Sequence, residues 1–145
     1  MRELLCDSGP LIASYNDLDR YHDRCLRLLA GWQGRVIIPE PVLGETCNFL
    51  RNHLRNGPSV EIGFLRAVTI PGDFRIVDPT HEDRIRATEV ADRLVAAPLG
   101  YVDGMIIAMA ERLGTPDIAT LDFKMVGMTN PLSKLKPLNW VLQET

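Results

Sequence analysis

The amino-acid sequence predicts an α/β fold, in which helices cover both faces of a mainly parallel sheet. Short apolar runs alternate with amphipathic stretches of about ten residues or more, which is typical of repeated β-α-β units. Residues 36–38 are predicted to form a strand, because all three are β-branched and Pro39 follows them. From Tyr21 to Trp32, apolar residues recur at the spacing of one helix face. The predicted strands cover residues 4–6, 36–38, 74–77, 118–121 and 140–142, and the predicted helices cover about 21–32, 40–55, 60–68, 80–95 and 102–113, with a helical turn at 11–13.

The composition is that of an ordinary globular protein. The chain has 145 residues, of which 46% are hydrophobic and 24% charged, so we expect a single domain over 1–145. Cys6, Cys25 and Cys47 lack the spacing of a metal site and are odd in number, so we expect reduced, buried thiols in a cytoplasmic protein. No apolar run reaches the length of a membrane span. The net charge of −3 does not point to a generic nucleic-acid binder, although it leaves room for one basic face.

Two aspartates directly follow predicted strands. Asp7 comes after the first strand and Asp122 after the fourth. In open parallel sheets, ligands bind outside the carboxyl ends of the strands. Taken alone, however, each aspartate is more typical of a residue that caps the following helix.

Two further acids lie on or beside apolar helix faces. Glu45 precedes Phe49 by four residues and therefore borders the buried face of its predicted helix. Asp103 is in the first turn of a strongly apolar helix, with Ile106 and Ile107 three and four residues further on. Taken separately, Glu45 is typical of a rim residue whose carboxylate reaches water. Asp103 is typical of a first-turn acid that complements the helix dipole.

The four acids share one expected location, because helices that follow strands begin at the edge where those strands end. Carboxylates that meet there repel and raise each other's pKa, and a divalent cation removes the conflict. Oxygen ligands of this kind select Mg²⁺ or Mn²⁺. Such an ion activates water and stabilises the charge that develops when a phosphodiester is hydrolysed. The four predicted metal ligands and catalytic residues are Asp7, Glu45, Asp103 and Asp122.

A few other polar residues supplement this predicted site. Ser8 and Thr120 place hydroxyls beside two of the acids, and Thr120 is two residues before Asp122, on the same face of the predicted strand. Arg51 and Arg55, four residues apart near the end of a helix, are candidates for binding RNA phosphates. Such a pair is more often a solvated surface, and both interpretations stay open.

No motif in the sequence supports a different chemistry. A GxxxxGK[ST] phosphate-binding loop and a GxGxxG dinucleotide loop are both absent from the sequence. No cysteine and histidine are placed like a nucleophilic dyad. His22, His53 and His81 fall on polar helix faces or helix starts, and we expect each to be solvated.

At these residues the sequence resembles the PIN-domain ribonucleases, and within them the VapC-like toxins of bacterial toxin–antitoxin pairs. The matching stretches are short, but they occur in the order and spacing of the family over most of the chain. They are residues 7–13, 41–45, 98–103, 110–114 and 118–122.

The resemblance implies a three-layer α/β/α sandwich around a five-stranded parallel sheet. It implies that Asp7, Glu45, Asp103 and Asp122 are the acidic quartet that binds Mg²⁺ or Mn²⁺ and hydrolyses RNA. In that arrangement Asp7 and Asp103 are the principal ligands, and the other two acids hold metal-bound waters or a second ion. The resemblance also implies a homodimer that a small antitoxin protein holds inactive.

The sequence departs from the family pattern at two positions. Phe123 follows Asp122 directly, whereas the family usually has a charged pair before its phenylalanine, and Lys124 comes next. Gly104 stands where the family often has alanine, which predicts a slightly weaker helix.

Two alternatives to a ribonuclease remain at this point. An aspartyl phosphatase that uses Asp7 as nucleophile would usually have a second aspartate two residues later, where this sequence has Gly9. A non-enzymatic α/β scaffold would bind RNA or a protein without cleaving it, and metal-dependent RNA cleavage distinguishes the two. We predict the metal-dependent endoribonuclease.

Overall fold

The structure, a computed structural model, describes residues 2–143, which form five strands and seven helices. The elements are, in chain order, β1 (Arg2–Cys6), α1 (Ser8–Tyr15), α2 (His22–Gly31), β2 (Gly34–Pro39), α3 (Glu40–His53), α4 (Gly57–Thr69), β3 (Phe74–Val77), α5 (His81–Arg93), α6 (Tyr101–Leu113), β4 (Asp117–Ala119), α7 (Phe123–Thr129) and β5 (Asn139–Trp140).

All five strands are parallel, in the order β3-β2-β1-β4-β5. At the centre of the sheet, Leu5 of β1 is in register with Ile37 of β2 and Ile118 of β4, and all three side chains are fully buried. The predicted parallel sheet with five strands is confirmed. The strand order reverses between β1 and β4, and a crevice for ligands forms at such a switch point. Asp7 and Asp122 follow these two strands.

Six of the seven helices form two groups, one on each face of the sheet, which confirms the three-layer α/β/α sandwich. Helices α1 to α4, which connect β1, β2 and β3, contact one another, and α5 packs closely against α6. The closest approach in the second group is at Gly104 of α6. A Cβ atom there would lie 3.1 Å from Ala87 Cα of α5 and closer still to the Ala87 carbonyl oxygen. The glycine therefore serves close helix packing, and is not merely a weak helix former.

Several predicted boundaries were wrong. Residues 8–15 form a complete helix where only a turn was predicted, and β5 is Asn139–Trp140 where residues 140–142 were predicted. Strand β4 ends at Ala119, because the Thr120 hydroxyl accepts a hydrogen bond from the Asp122 amide and turns the chain out of the ladder. The short helix α7 was not predicted.

The cysteines and histidines mostly match the predictions. Cys6 and Cys25 are fully buried free thiols, whereas Cys47 is half-buried. His53 and His81 are exposed. The prediction was wrong for His22, which is half-buried and donates from Nδ1 to the Ala13 carbonyl oxygen at 2.7 Å.

Among residues 2–143, no helix is both long and apolar enough to cross a membrane.

Candidate active site

Asp7 is held at the end of β1 by two hydrogen bonds. Its Oδ1 accepts from the Ser8 amide at 2.8 Å, which makes Asp7 the N-cap of α1, and its Oδ2 accepts from the Thr120 hydroxyl at 3.0 Å. Its own amide donates to the Ala119 carbonyl oxygen at 2.9 Å and continues the β1–β4 ladder. Only 7% of Asp7 is exposed. The side chain is therefore both buried and fixed in direction.

Thr120 links Asp7 to Asp122. Its hydroxyl donates to Asp7 and accepts from the Asp122 amide at 3.0 Å. The Asp122 carboxylate in turn accepts from the Met125 amide at 3.3 Å and caps α7. Thr120 and Asp122 are thus joined by a turn beyond the strand, and not by the shared strand face that the sequence predicted.

Ser8 links the same region to Glu45. The buried Ser8 hydroxyl donates a hydrogen bond to Glu45 Oε1 on α3. Glu45 itself is exposed, so its carboxylate reaches water while Ser8 holds one of its oxygens. The exposure of Glu45 agrees with the conservative interpretation of a residue that reaches water, but Phe49, which was predicted to belong to the buried face, is exposed as well.

Asp103 completes the set from the first turn of α6. It is half-buried, and its Oδ2 accepts from the Gly100 amide at 3.0 Å. Gly100 was not predicted as part of the site. An acid three residues after an N-cap glycine was the signal in the sequence, because that acid reaches back to the capping residue's amide.

The electrostatics show that the four acids are close enough to influence one another. Burial raises the pKa of Asp7 to about 6; the Ser8 and Thr120 bonds oppose this, and the charges of Asp103 and Glu45 add to it. Burial also raises the pKa of Asp103, against the Gly100 bond and together with the charges of Asp122 and Glu45. In the described part of the chain, no lysine or arginine forms an ion pair with any of the four. The site is a concentration of uncompensated negative charge.

Carboxylate oxygens are suitable ligands for a hard divalent cation, although those of the four acids do not point to one common position in the structure. Among residues 2–143, no three aspartate, glutamate, histidine or cysteine side chains stand close enough together to hold a metal ion. In Asp103 and Asp122 one carboxylate oxygen accepts a hydrogen bond from a backbone amide, and in Glu45 one accepts from the Ser8 hydroxyl. Each keeps its second oxygen for a ligand. An all-carboxylate set without a counter-charge is the kind that Mg²⁺ and Mn²⁺ bind.

Arg51 and Arg55 lie away from these acids. Arg51 is six residues after Glu45. In an α-helix this spacing places it about 120° around the axis of α3 from Glu45 and about 9 Å further along that axis. Its Nη1 forms an ion pair with Glu61 of α4 at 3.3 Å. Arg55 is exposed beyond the end of α3. Binding of RNA by this pair stays a prediction.

The raised pKa of Asp7 predicts how stability varies with pH. Between about pH 4 and 6 the native state keeps a proton that the unfolded chain releases, so the free energy of unfolding falls as the pH rises. Above about pH 6 the cost of the buried charge is fully present, at roughly 3 kcal/mol. Without metal, we therefore expect Asp7→Asn to melt no lower than wild type at pH 7.5, with a difference that shrinks toward pH 4. Thermal melts in EDTA across this range test it.

Asp117 provides a control of opposite sign. It is equally buried, but the Arg2 and Asn139 hydrogen bonds outweigh its burial and lower its pKa. Asp117→Asn should therefore destabilise the protein at pH 7.5. If Asp7→Asn also melts clearly lower, Asp7 is a structural cap and its charge costs the fold nothing.

The parallel sheet, the helices on its two faces and the acids that follow β1 and β4 define an α/β sandwich with an acidic switch point. The chain belongs to the PIN domain family, whose model matches residues 4–128.

Solved structures with this fold include three toxin–antitoxin proteins. VapC20 of Mycobacterium tuberculosis, described as a sarcin-ricin loop cleaving toxin, is 22% identical with a TM-score of 0.76, over 86% of this chain and 93% of that one. DNA-bound VapBC of Salmonella typhimurium is 15% identical with a TM-score of 0.64, over 97% of each chain. VapBC2 of Rickettsia felis, bound to a promoter DNA fragment, is 17% identical with a TM-score of 0.61, over 86% and 91%. No curated protein sequence matches the chain. At these identities the similarity concerns the fold alone.

Proposed function

We propose that this PIN domain is a Mg²⁺- or Mn²⁺-dependent endoribonuclease, and that it acts as the toxin of a toxin–antitoxin pair. One observation carries the proposal: the four carboxylates lie close enough for their charges to add to burial in raising the pKa of Asp7 and Asp103, and no lysine or arginine of the described residues forms an ion pair with them. Two short networks, Ser8 with Glu45 and Asp7 with Thr120 and Asp122, hold three of them in place. Asp103 joins them from α6, where its pKa responds to two of the others.

The chain's own residues have distinct roles in this proposal. Asp7 and Asp103 would be the principal ligands, and Glu45 and Asp122 would orient the waters around the ion. When bound, a divalent cation supplies the positive charge that stabilises a phosphodiester transition state. Asp7 is already fixed by Ser8 and Thr120, so the set would converge by rotation of the more exposed Glu45 and Asp103 side chains. The free oxygen of Glu45 would accept a proton from the attacking water.

Metal dependence is the direct test of this function. We expect cleavage of a single-stranded RNA oligonucleotide in Mg²⁺ or Mn²⁺ and none in EDTA. Because the ion relieves repulsion in the native state only, we also expect it to stabilise the fold, by about 2.7 kcal/mol at 100 times its Kd. Thermal melts with and without Mg²⁺ measure this, and Asp7→Asn should lose most of the shift. An RNA-binding scaffold would bind the oligonucleotide without cutting it, and cleavage that survives EDTA would contradict the metal site.

The partners of the proposed toxin are an RNA substrate, a second copy of the chain and a small antitoxin, in the cytoplasm. A cavity of about 490 Å³ lies between α1, α2 and α4, and its lining includes Leu11, Leu29, Trp32 and Phe64. This apolar lining would suit an apolar segment of the antitoxin. An arginine or lysine of the antitoxin would compete with metal for the acids. Joint purification with the product of the neighbouring gene tests the pairing.

A further inference from the structure

An exposed arginine, Arg20, is held in place by the tyrosine that follows it in the sequence. Arg20 Nη2 donates to the Tyr21 hydroxyl at 2.9 Å, and its guanidinium carbon lies 4.7 Å from the centre of the Tyr21 ring. The Arg20 side chain forms no ion pair with a carboxylate of residues 2–143. Most of its N–H donors therefore face solvent with their charge uncompensated.

An aromatic contact connects this arginine to Asp122. The Tyr21 ring meets the Phe123 ring edge-on, with centroids 6.1 Å apart and planes at 72°. Phe123 directly follows Asp122, which is the departure from the family pattern noted in the sequence. The guanidinium of Arg20 thus lies over a ring that packs against the residue directly after Asp122, a candidate active-site acid.

The segment that carries Arg20 is fixed by its own hydrogen bonds. Asn16 Oδ1 accepts from the Leu18 amide at 3.3 Å, and Asp19 Oδ1 accepts from the Tyr21 amide at 2.8 Å. His22 bonds back to the Ala13 carbonyl oxygen. Asp19, the nearest acid in the sequence, is therefore engaged by the backbone. A charge held in this way loses little conformational entropy on binding a ligand.

We propose that Arg20 binds a phosphate of the RNA backbone beside the acidic site. The inference rests on the proposed ribonuclease function and adds a substrate-binding residue to it. A polyanion approaching four carboxylates needs cations at their rim. Of the two cations that the sequence suggested, Arg51 is paired with Glu61, and Arg55 lies beyond the end of α3. A guanidinium with free, planar N–H donors matches the geometry of a phosphate. The ring contact with Phe123 sets where that phosphate lies relative to Asp122.

RNA binding measured without cleavage tests this role. In an Asp103→Asn background, we expect Arg20→Gln to weaken binding of a labelled single-stranded RNA oligonucleotide about tenfold at low salt. The slope of log K against log salt concentration should fall by about 0.7, the value for one phosphate contact on a single strand. Arg66→Gln is the matched control, since Arg66 is an exposed arginine on α4 that forms no side-chain hydrogen bond or ion pair with residues 2–143, and it should change neither quantity.

A second variant separates charge from placement. Tyr21→Phe keeps the ring against Phe123 and removes the hydroxyl that holds Arg20, so affinity should fall by a smaller factor while the salt slope stays at the wild-type value. Wild-type affinity and slope in Arg20→Gln would overturn the inference, as would a failure of the Asp103→Asn protein to bind RNA. If RNA binds through Arg20 and the wild-type protein never cuts it, the inference stands and the proposed ribonuclease function fails.

Discussion

Replacing Asp103 with asparagine is expected to lower RNA cleavage by more than about 100-fold while the protein stays folded. A factor of about 100 is the upper range for losing a group that merely supports a metal ligand, and Asp103 is a proposed ligand itself. The asparagine oxygen can still accept the hydrogen bond from the Gly100 amide, so the cap of α6 is retained. The substitution therefore removes the negative charge of the side chain and keeps its shape. Initial rates at saturating Mg²⁺, together with a thermal melt, measure the two effects separately.

Asp92→Asn provides the matched control for this experiment. Asp92 is an exposed aspartate of α5, and the same chemical change there should leave the cleavage rate within about twofold of wild type. Near-normal cleavage by the Asp103 variant, with contaminating nuclease excluded by a mock purification, would remove Asp103 from the site. A large fall in melting temperature would instead show that the carboxylate serves the cap.

Replacing Gly104 with alanine is expected to lower the free energy of unfolding by about 3 kcal/mol, the upper range for an overpacked contact. Alanine normally stabilises a helix relative to glycine, but here the added methyl group would collide with the Ala87 backbone of α5. Backbone cannot rotate away as a side chain can, so α5 and α6 must separate. The melting temperature should fall by about 6–12 °C.

Gly63→Ala tests whether the effect belongs to the contact or to the residue type. Gly63 is an exposed glycine within α4, and a Cβ atom there meets nothing within 4 Å. Its replacement should stabilise the protein by about 0.5–1 kcal/mol. If Gly104→Ala behaved in the same way, the close approach of α5 and α6 would not limit stability, and the slight weakening expected from helix propensity would be the whole effect of the glycine.

The two interpretations that the sequence left open for each acid turn out to be compatible. Asp7 and Asp122 each cap a helix, and Asp103 is a first-turn acid that bonds to the N-cap amide of α6, as the conservative interpretations held. Each also stands at the edge of the sheet where the strands end. A carboxylate has two oxygens, and one of them satisfies a backbone amide. In Asp103 and Asp122 the second remains for a ligand, whereas in Asp7 it accepts from Thr120. The hydrogen bond to the helix terminus therefore fixes the orientation of each carboxylate, and it is compatible with a metal site.

The alternation of strands and helices, and the placement of acids at their ends, were determined by the sequence alone. Periodicity records which face of an element is buried and which residues end it, because both depend on neighbours a few positions away. The five-stranded sheet and the quartet followed from that pattern together with the family resemblance. Helix α7 escaped prediction because its seven residues are too few for a periodic signal.

Contacts between distant elements were decided only by the tertiary structure. The bond from Thr120 to Asp7 spans 113 positions, the contact of Gly104 with Ala87 joins two helices, and the rings of Tyr21 and Phe123 meet across the chain. A pattern of apolar residues shows that a side chain is buried but not what it is buried against. That pairing depends on how the sheet orders its strands, so the bridge between two acids, the need for a glycine and the position of an arginine all appeared only when the chain was folded.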